Sequence, residues 1–276
     1  MKHMFVGTNI GRIAFTARNA IELLWALYRS PECVGMLVND HLATFFVIRL
    51  CLPNKEFVDV GAHIGSIISE VAHHDPSIKL YSVEPIPAKI DRLRRKFPTV
   101  ELFGCALGDS EGEIVLFENT KHSGYSSLGR PANTADTIEI KVPIRRLDTL
   151  VSSNNIDVIK IDVEGAELGV LRGSDRLIAR NRPLIMFESA PQKDQKDNGL
   201  GYTKAAMWQW LKERNFDIVV PDRVAHDGPG LSLDGFIEAH FYPRRTTNYF
   251  AIPIERRIEI RNRARNVLKI FSPEPT

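Results

Sequence analysis

A nine-residue stretch near the beginning of the chain constrains its fold more than any other feature. Phe57–Gly65 runs from apolar residues into a turn flanked by glycines, and residues 66–74 have the pattern of a helix. A second apolar run, residues 80–83, ends at Glu84, nineteen residues after Gly65 (84 − 65 = 19). This succession is typical of a nucleoside site at the carboxyl ends of parallel strands, where the acid binds the ribose hydroxyls.

The residues of the turn favour a cationic cofactor over a dinucleotide. A dinucleotide fingerprint has a second glycine inside the turn, which lets the backbone approach a pyrophosphate, and His63 stands at that place. The turn also opens at Asp59, whose carboxylate would repel a phosphate and attract an ammonium or sulfonium group. We therefore expect a site for S-adenosylmethionine rather than for NAD.

Apolar runs alternate with helical patterns along most of the chain. Strands are expected at residues 57–60, 80–83, 100–105, 157–161, 184–187, 216–220 and 248–252, and helices at 66–74, 87–97, 166–180 and 203–214. This alternation predicts an α/β fold with a mostly parallel sheet and helices on both faces. Residues 113–117 and 137–142 have no helix between them, so we expect an antiparallel insertion after the third strand.

Composition and charge limit the class of protein. The 276-residue chain has 36 basic and 34 acidic residues, and its net charge of +2 argues against general binding to nucleic acid or to an anionic membrane. The three cysteines, Cys33, Cys51 and Cys105, are too few for a disulfide framework, so we expect a reducing, cytoplasmic compartment. No apolar stretch is long enough to predict a membrane span.

Five acidic residues fall at or near the ends of the expected strands: Asp59, Glu84, Asp109, Asp162 and Glu188. In a parallel sheet these ends converge on one crevice. Neighbouring carboxylates repel each other unless a proton or a cation lowers the cost, which a sulfonium cofactor, a divalent cation or both would do. Alternatively, each acid caps the helix that follows it.

The second strong signal is the segment of residues 160–167. It brings Asp162 to the end of a buried strand, and the next strand ends at Glu188. These two carboxylates could position and deprotonate an acceptor hydroxyl, or hold a metal ion with water. No histidine-rich cluster accompanies them, so we predict catalytic roles for both and no metal site. Glu164 or Glu167 could cap the following helix, an interpretation that we favour for Glu167.

Several short motifs occur in the order seen in FkbM-family methyltransferases. Over about residues 55–190 the chain resembles this family through Asp59–Gly65, Val83–Pro87, Ala106–Asp109, Ser126–Leu128, Arg146–Leu150, Lys160–Glu167, Leu171–Gly173, Arg182–Pro183 and Phe187–Glu188. The resemblance implies a class I, Rossmann-like fold with an antiparallel last strand, and S-adenosylmethionine as cofactor. It also implies O-methylation of a sugar hydroxyl in a glycan, glycolipid or glycosylated metabolite.

The resemblance also implies which residues bind the cofactor. The predicted cofactor-binding residues are Asp59, Gly61, His63, Gly65, Glu84, Ala106 and Asp109. Asp59, Gly61 and Gly65 would lie at the methionine end of the cofactor. Glu84 would bind the ribose, and residues 106–109 would lie near the adenine. His63 replaces an asparagine that is often found in the family.

The pattern of elements along the chain predicts three parts. Residues 1–52 are expected to form a helical extension, 53–253 the methyltransferase domain, and 254–276 a basic C-terminal helix and tail. The basic helix either presents a solvated face or contacts a lipid-linked substrate. The sequence carries no indication of an oligomeric state.

We expect a sugar-containing acceptor and no nucleic acid partner, and we place the acceptor contacts in the segments Asp222–Thr247 and Lys121–Pro131. Loops outside the alternating core can vary without disturbing packing. Side chains there that could stack on a sugar or pair with an acidic substituent are Tyr125, Phe236, Phe241, Tyr242, Arg244 and Arg245. If they only attach the loop to the body, the acceptor is bound elsewhere. His122 and His240 are the next candidate bases.

Two other classes of function remain open. One is methyl transfer to another acceptor, such as an amine, a carbon atom, a protein or a nucleic acid. Residues 162–165 read Asp-Val-Glu-Gly, where an Asn-Pro-Pro-Tyr-like string would have indicated methylation of a base amino group. The other is a binding protein that keeps the fold without turnover.

Overall fold

The structure is a computed structural model that describes residues 6–119, 126–127, 136–189 and 202–270. Its helices are α1 (Asn9–Arg29), α2 (Val34–Arg49), α3 (Ser66–His74), α4 (Pro87–Lys96), α5 (Leu147–Leu150), α6 (Glu167–Gly173), α7 (Asp175–Asn181), α8 (Lys204–Glu213), α9 (Leu233–Glu238) and α10 (Arg257–Leu268). Short 3₁₀ helices cover Pro31–Cys33, Pro221–Arg223 and Ile254–Arg256. The strands are β1 (Glu56–Val60), β2 (Lys79–Val83), β3 (Glu101–Phe103), β4 (Ala106–Leu107), β5 (Gly112–Asn119), β6 (Ser126–Ser127), β7 (Thr137–Arg145), β8 (Ile156–Ile161), β9 (Leu184–Glu188), β10 (Phe216–Val219) and β11 (Asn248–Pro253).

Seven strands form the central sheet in the order β10-β11-β9-β8-β1-β2-β3. Strands β1, β2, β3, β8 and β9 pair in parallel, whereas β11 runs antiparallel to both β9 and β10. The predicted α/β fold, with a mostly parallel sheet and an antiparallel last strand, is confirmed. It is the class I methyltransferase arrangement, in which the carboxyl ends of the central strands open into one crevice.

Successive residues of each central strand pack on opposite faces of the sheet. Val58 and Val60 belong to one core cluster with α6 and α8, and Phe57 belongs to a second cluster with α2 and α3. Both faces are therefore covered by helices. Burial on both faces explains why the central strands are continuous apolar runs rather than alternating ones.

The predicted antiparallel insertion is present as a second sheet of order β4-β7-β5-β6. Two predicted elements differ from the structure. The strand expected at residues 100–105 ends at Phe103, and Ala106–Leu107 pairs with β7 of the second sheet instead. The helix expected at residues 166–180 is divided at Ser174. At the end of α6, Gly173 packs so closely that a Cβ would lie 1.9 Å from the carbonyl oxygen of Gly108. The strand edge depends on the tertiary pairing with β7.

Helix α2 is part of the core of the domain. Its residues Ala43, Phe46 and Val47 are almost completely buried, and the Phe46 ring packs edge-on against Phe250 of β11 at a centroid distance of 6.3 Å. The division of the chain at residue 52 remains a prediction, but α2 packs as an integral layer against the last strand.

Helix α2 also closes the segment that precedes β11. The Asn39 side chain accepts a hydrogen bond from the backbone N–H of Asp222 at 2.9 Å and donates one to the carbonyl oxygen of Arg245 at 3.0 Å. Next to it, Asp40 accepts a hydrogen bond from the Thr246 hydroxyl at 2.7 Å. One asparagine therefore holds both ends of residues 222–245, a segment that contains α9.

The arginines of the C-terminal helix are used to attach it to the body. Asp157, at the start of β8, accepts hydrogen bonds from Arg256 at 2.6 Å, Arg263 at 2.7 Å and the backbone of Leu52 at 2.9 Å. Burial would raise the pKa of Asp157, but these arginines and this N–H outweigh it and lower the pKa. The basic helix is thus an ion-paired structural element, and no helix in the described ranges is long and apolar enough to cross a membrane.

Replacement of Asp157 should therefore be costly. In Asp157→Ala, the half-buried Arg256 and Arg263 lose a buried carboxylate and keep only the more exposed Glu259 as an acidic partner. Loss of one partner of a buried ion pair typically costs about 3–5 kcal/mol. Asp227 is the matched control, because it also pairs with two arginines of α10, Arg261 and Arg265, but is 63% exposed. Asp227→Ala should cost about 0–1 kcal/mol. Chemical denaturation measures both, and equal losses would contradict this account.

Candidate active site

A cavity of about 430 Å³ lies at the carboxyl edge of the central strands. Its wall includes Gly61 and His63 from the turn after β1, Glu84 after β2, Asp162 after β8 and Glu188 at the end of β9. The sheet therefore brings together five residues predicted for the site. The volume lies within the range of about 300–1,000 Å³ that is usual for small-molecule sites.

Close backbone packing determines the shape of the turn after β1. Gly61 has φ +81°, and a Cβ at this position would lie 1.9 Å from the carbonyl oxygen of Asp162, so only glycine fits. The His63 backbone N–H donates a hydrogen bond to Glu84 Oε2 at 2.9 Å. Gly65, with φ +79°, ends the turn and packs near Phe97, away from the cavity wall.

Glu84 is held by two backbone groups. Its second oxygen, Oε1, accepts a hydrogen bond from the N–H of Ile86 at 3.0 Å, and the residue is only 3% exposed. Burial raises the pKa of Glu84, although the charge of Lys89 and the two backbone hydrogen bonds partly offset this effect. An ionised carboxylate has about four acceptor positions, so two remain for ligand hydroxyls.

Lys160 is the buried cation beneath the cavity. Its Nζ lies 3.2 Å from Asp59 and 3.4 Å from Asp162, and it donates a hydrogen bond to the carbonyl oxygen of Gly61 at 2.9 Å. Burial alone would lower the pKa of Lys160, but the charges of Asp162 and Asp59 outweigh burial and raise it. The ammonium group therefore stays charged and links the turn after β1 to the end of β8.

Three carboxyl groups on the cavity wall lie close together. Oxygens of Asp162, Glu164 and Glu188 all lie within 4.8 Å of one another. Burial, the charge of Asp162 and a hydrogen bond to Asp162 raise the pKa of Glu188 to about 10. Burial opposes ionisation of Asp162 as well, but Lys160 and the Glu188 hydrogen bond lower its pKa. At neutral pH, Glu188 is protonated and donates a hydrogen bond to an ionised Asp162.

Glu164 and Glu167 have different surroundings although they are close in sequence. Glu164 has φ +54° and lines the cavity, and burial together with the charge of Asp162 raises its pKa to about 7. Glu167 is buried outside the wall, and its Oε1 accepts hydrogen bonds from the N–H groups of Val163 and Gly165. Glu167 thus stabilises the turn before α6, whereas its favoured role as a helix cap is not observed, because no side chain caps the start of α6.

The remaining predicted cofactor residues divide into two groups. Ala106 lines the cavity together with Cys105 and Leu107. Asp59 is 1% exposed below the wall, where burial raises its pKa and Lys160 partly offsets the increase. Asp109 also lies outside the lining, and its carbonyl oxygen accepts a hydrogen bond from Arg146 at 2.7 Å. The roles of these residues in cofactor binding stay predictions.

The predicted acceptor residues also differ in their placement. Phe236 is fully buried and packs edge-on against Tyr249 at 5.0 Å, so it is a core residue rather than a sugar contact. Phe241 and Tyr242 are 64% and 69% exposed. The Tyr242 hydroxyl donates a hydrogen bond to Glu32.

Of the two candidate histidines, the structure describes His240, and of the Lys121–Pro131 loop it describes only residues 126–127. His240 is buried, and its Nδ1 bonds to the carbonyl oxygen of Phe236, so its Nε2 accepts the Ser189 hydroxyl at 2.8 Å. His122, Tyr125 and most of Lys121–Pro131 lie outside the described residues.

Sequence reasoning missed the roles of Lys160, Glu164 and Lys89. The signal for Lys160 is a basic residue inside the fully buried strand β8, a position that requires a buried counter-ion. Lys89 lines the cavity from α4 and lies close enough to Glu84 to affect its pKa. Nothing in the sequence pattern separates Lys89 from the other basic residues of α4.

Comparison with known proteins identifies the family of this chain. A model of the methyltransferase FkbM domain matches residues 59–218. The chain belongs to the FkbM methyltransferase family. The family assignment agrees with the expected methyltransferase activity and with S-adenosylmethionine as the expected methyl donor.

Similar proteins share parts of the chain. The AMB antimetabolite synthetase AmbE of Pseudomonas aeruginosa is 26% identical over 61% of this chain and 10% of its own length. The 2-O-methyltransferase NoeI of Sinorhizobium fredii is 27% identical over 47% of this chain and 61% of its own length. The chain thus spans less than two thirds of the length of each of these relatives. A crystal structure of an FkbM methyltransferase from Methylobacillus flagellatus superposes with TM-score 0.45 at 16% identity, covering 72% of this chain and 44% of that one.

The residues on the cavity wall fit S-adenosylmethionine. Gly61 lines the wall and allows the turn to pack against the backbone of Asp162, and Glu84 has acceptor positions left for ribose hydroxyls. The wall carries the carboxyl groups of Glu84, Asp162 and Glu164 and the protonated Glu188 against Lys89. This charge pattern suits a sulfonium cation and disfavours a pyrophosphate.

The proton on Glu188 predicts a pH-dependent stability. Glu188 titrates near pH 10 in the folded protein and near pH 4.3 when unfolded, so the folded state binds the extra proton between these values. The free energy of unfolding should therefore fall as pH rises. Above about pH 8, Glu164 and Glu167 have largely titrated. Burial raises the pKa of the Cys51 and Cys105 thiols, which titrate at about pH 8.5 when unfolded, so these thiols add to the same fall. The share of Glu188 is therefore the difference in slope between wild type and Glu188→Gln.

Denaturant midpoints of the apo protein between about pH 8 and pH 9 measure this slope. Glu188→Gln keeps a hydrogen-bond donor to Asp162 and should flatten the slope. Glu213→Gln, at a side chain that is 57% exposed, should leave it unchanged. Parallel slopes for wild type and Glu188→Gln would show that Glu188 is ionised in the folded protein.

Proposed function

We propose that this protein is an O-methyltransferase that transfers a methyl group to a hydroxyl of a sugar-containing acceptor, and that the reaction takes place in the cytoplasm. The observation that carries the proposal is the ionised Asp162 beside a protonated Glu188 on the wall of the cofactor cavity. A hydroxyl must lose its proton during methylation, and a positioned carboxylate can accept it. A sugar acceptor is supported by the similarity to NoeI, a 2-O-methyltransferase.

In this mechanism Asp162 is the general base. S-adenosylmethionine supplies a methyl group that its sulfonium has already activated. Asp162 would accept a hydrogen bond from the acceptor hydroxyl, orient its oxygen for an in-line attack, and take the hydroxyl proton. As the C–O bond forms, the bond between sulfur and the methyl carbon would break, with S-adenosylhomocysteine as the leaving group. The lowered pKa of Asp162 makes it a weak base, but it keeps the carboxylate available over the whole neutral range.

Glu188 and Lys160 position this base. The Glu188 carboxyl donates to one side of Asp162, and the Lys160 ammonium lies 3.4 Å from Asp162 Oδ2. The carboxylate therefore has a fixed orientation before the acceptor arrives, which lowers the entropy cost of alignment. Glu164, with a pKa of about 7, lies on the same wall and is placed to receive the proton after transfer.

The cofactor is held by the elements around the turn after β1. Glu84 binds the ribose hydroxyls, Gly61 allows the methionine end to approach the backbone, and Ala106 packs near the adenine. The support for these roles is that all three residues line the cavity. His63 contributes its backbone N–H to the orientation of Glu84.

We place the acceptor contacts in the segment that Asn39 closes. Phe241, Tyr242 and Arg245 remain exposed there, whereas Phe236 is in the core. The segment reaches the cavity wall through Ser189, which follows Glu188 and bonds to His240. The apolar and guanidinium groups of this surface suit a sugar ring that carries an acidic or phosphate group.

Replacement of the base should reduce turnover without loss of cofactor binding. In Asp162→Asn, turnover should fall by roughly 10²–10⁴-fold, the usual contribution of a positioned base. Glu188→Gln preserves the hydrogen-bond donor and should cost less. Asp91→Asn, at an α4 side chain that is 59% exposed, is the control. Single-turnover rates and calorimetric affinity for S-adenosylhomocysteine separate the two effects.

The opposite order of effects, a larger loss in Glu188→Gln than in Asp162→Asn, would assign the base to Glu188. A chelator belongs in the same assay. Loss of activity with EDTA and recovery with Mg²⁺ would show that the three carboxylates bind a metal ion instead.

Replacement of Glu84 tests the cofactor assignment. Glu84→Gln removes the charge that we assign to the ribose and should weaken S-adenosylmethionine binding roughly 10- to 150-fold, since hydrogen bonds to charged groups contribute about 1.5–3 kcal/mol. Glu101→Gln, on β3 and 49% exposed, should change nothing. A drop in melting temperature with unchanged affinity would show that Glu84 only supports the turn.

The acceptor class is tested with labelled S-adenosylmethionine and a panel of glycans, peptides and nucleic acids. We expect label in a methyl ether, which survives mild base and which mass spectrometry locates on a sugar. Label in an amine or in a base-labile ester would replace the proposed acceptor. Cofactor binding without transfer to any member of the panel would favour a binding protein.

A further inference from the structure

Helix α1 carries a concentrated apolar surface. Of the sixteen large hydrophobic residues that are exposed in the described ranges, eight lie on α1, with exposed fractions from 49% for Phe15 to 84% for Tyr28. Half of the exposed large hydrophobic side chains in the described ranges therefore lie on this one helix. Contiguous exposed apolar patches on soluble proteins mark interaction sites.

The apolar residues of α1 share one face of the helix. They recur at intervals of three and four residues: Ile10, Ile13, Ala17, Ile21, Leu24 and Tyr28. The opposite face attaches α1 to the body, where Arg12 donates to Glu70 of α3 at 3.0 Å and Ala26 is buried. This attachment fixes the apolar face toward the outside.

Arginines and aromatic rings border the apolar face. The Arg18 guanidinium lies 5.9 Å from the centre of the Phe15 ring, and that of Arg29 lies 6.0 Å from the Trp25 ring. Glu22, the one acidic residue of α1, lies 3.7 Å from Arg18. Guanidinium groups can reach lipid phosphates while aromatic and aliphatic side chains enter the acyl boundary, which is typical of helices in the plane of a membrane.

We propose that α1 lies on the surface of an anionic lipid bilayer, with Leu24, Trp25 and Tyr28 inserted and with Arg18 and Arg29 at the headgroups. The net charge of the whole chain, which argued against such binding, does not describe this local patch. Arg261, Arg263 and Arg265 of α10, the helix for which we considered a lipid contact, are engaged with Asp157 and Asp227 of the body.

A second copy of the chain is the competing occupant, and the width of the face argues against it. Two helices that pair, as in a coiled coil, need only a narrow row of apolar side chains on each helix. Here Trp25 and Leu27, 63% and 52% exposed, extend the face on both sides of Leu24. A bilayer covers such a face completely. This inference does not depend on the identity of the methyl acceptor.

Sedimentation of the full chain with lipid vesicles tests the proposal. We expect binding to vesicles of phosphatidylcholine with phosphatidylglycerol, weaker binding to phosphatidylcholine alone, and a decrease with salt. Leu24→Glu should reduce binding about tenfold or more, because insertion of this side chain is lost. Ile258→Glu on α10 is the matched control, since Ile258 is 66% exposed and Leu24 is 67% exposed.

Two further measurements test the role of the arginines and the folding of the variants. Arg18→Glu combined with Arg29→Glu should remove the preference for anionic vesicles, and thermal melts should show that all variants are folded. Equal effects of Leu24→Glu and Ile258→Glu, or no vesicle binding by the wild type, would overturn the proposal. So would a dimer in the absence of vesicles that Leu24→Glu converts to a monomer.

Discussion

The active site depends on one buried ammonium group. Lys160 Nζ touches the Asp59 and Asp162 carboxylates and the carbonyl oxygen of Gly61, so it joins two neighbouring strand ends with a single charge. Burial of a lysine is costly unless opposite charges and hydrogen bonds surround it. In this protein two acids and a carbonyl group meet that requirement. The same three contacts set the positions of the turn and of the base.

The charge of Lys160 also sets the protonation of the acids above it. Because Lys160 favours ionised Asp162, the negative charge of Asp162 disfavours ionisation of Glu188 next to it. A buried group that does not line the cavity thus determines which of the two carboxyl groups is a base and which is a donor. Sequence analysis left that choice open, since strand ends reveal proximity but not the order of the pKa values.

Local patterns predicted the elements that depend on local residues. Helix α3 begins and ends where the sequence placed it, at residues 66 and 74, and the strand-end acids Glu84, Asp162 and Glu188 share one cavity. The failures involve contacts between distant residues. Pairing with β7 takes Ala106–Leu107 out of the third strand, and packing on Tyr249 takes Phe236 out of the acceptor surface. Neither contact leaves a periodic signal.

The closure by Asn39 has a consequence for how this family could change its specificity. Both ends of residues 222–245 meet at one side chain of α2, so the chain enters and leaves the segment at nearly the same point. Insertions or deletions at exposed positions between these ends would leave the strand positions unchanged, and the entropy of closing a longer loop grows only slowly with length. New acceptor surfaces could therefore be acquired around exposed residues such as Phe241 and Tyr242, while Phe236 keeps the segment packed on the catalytic sheet.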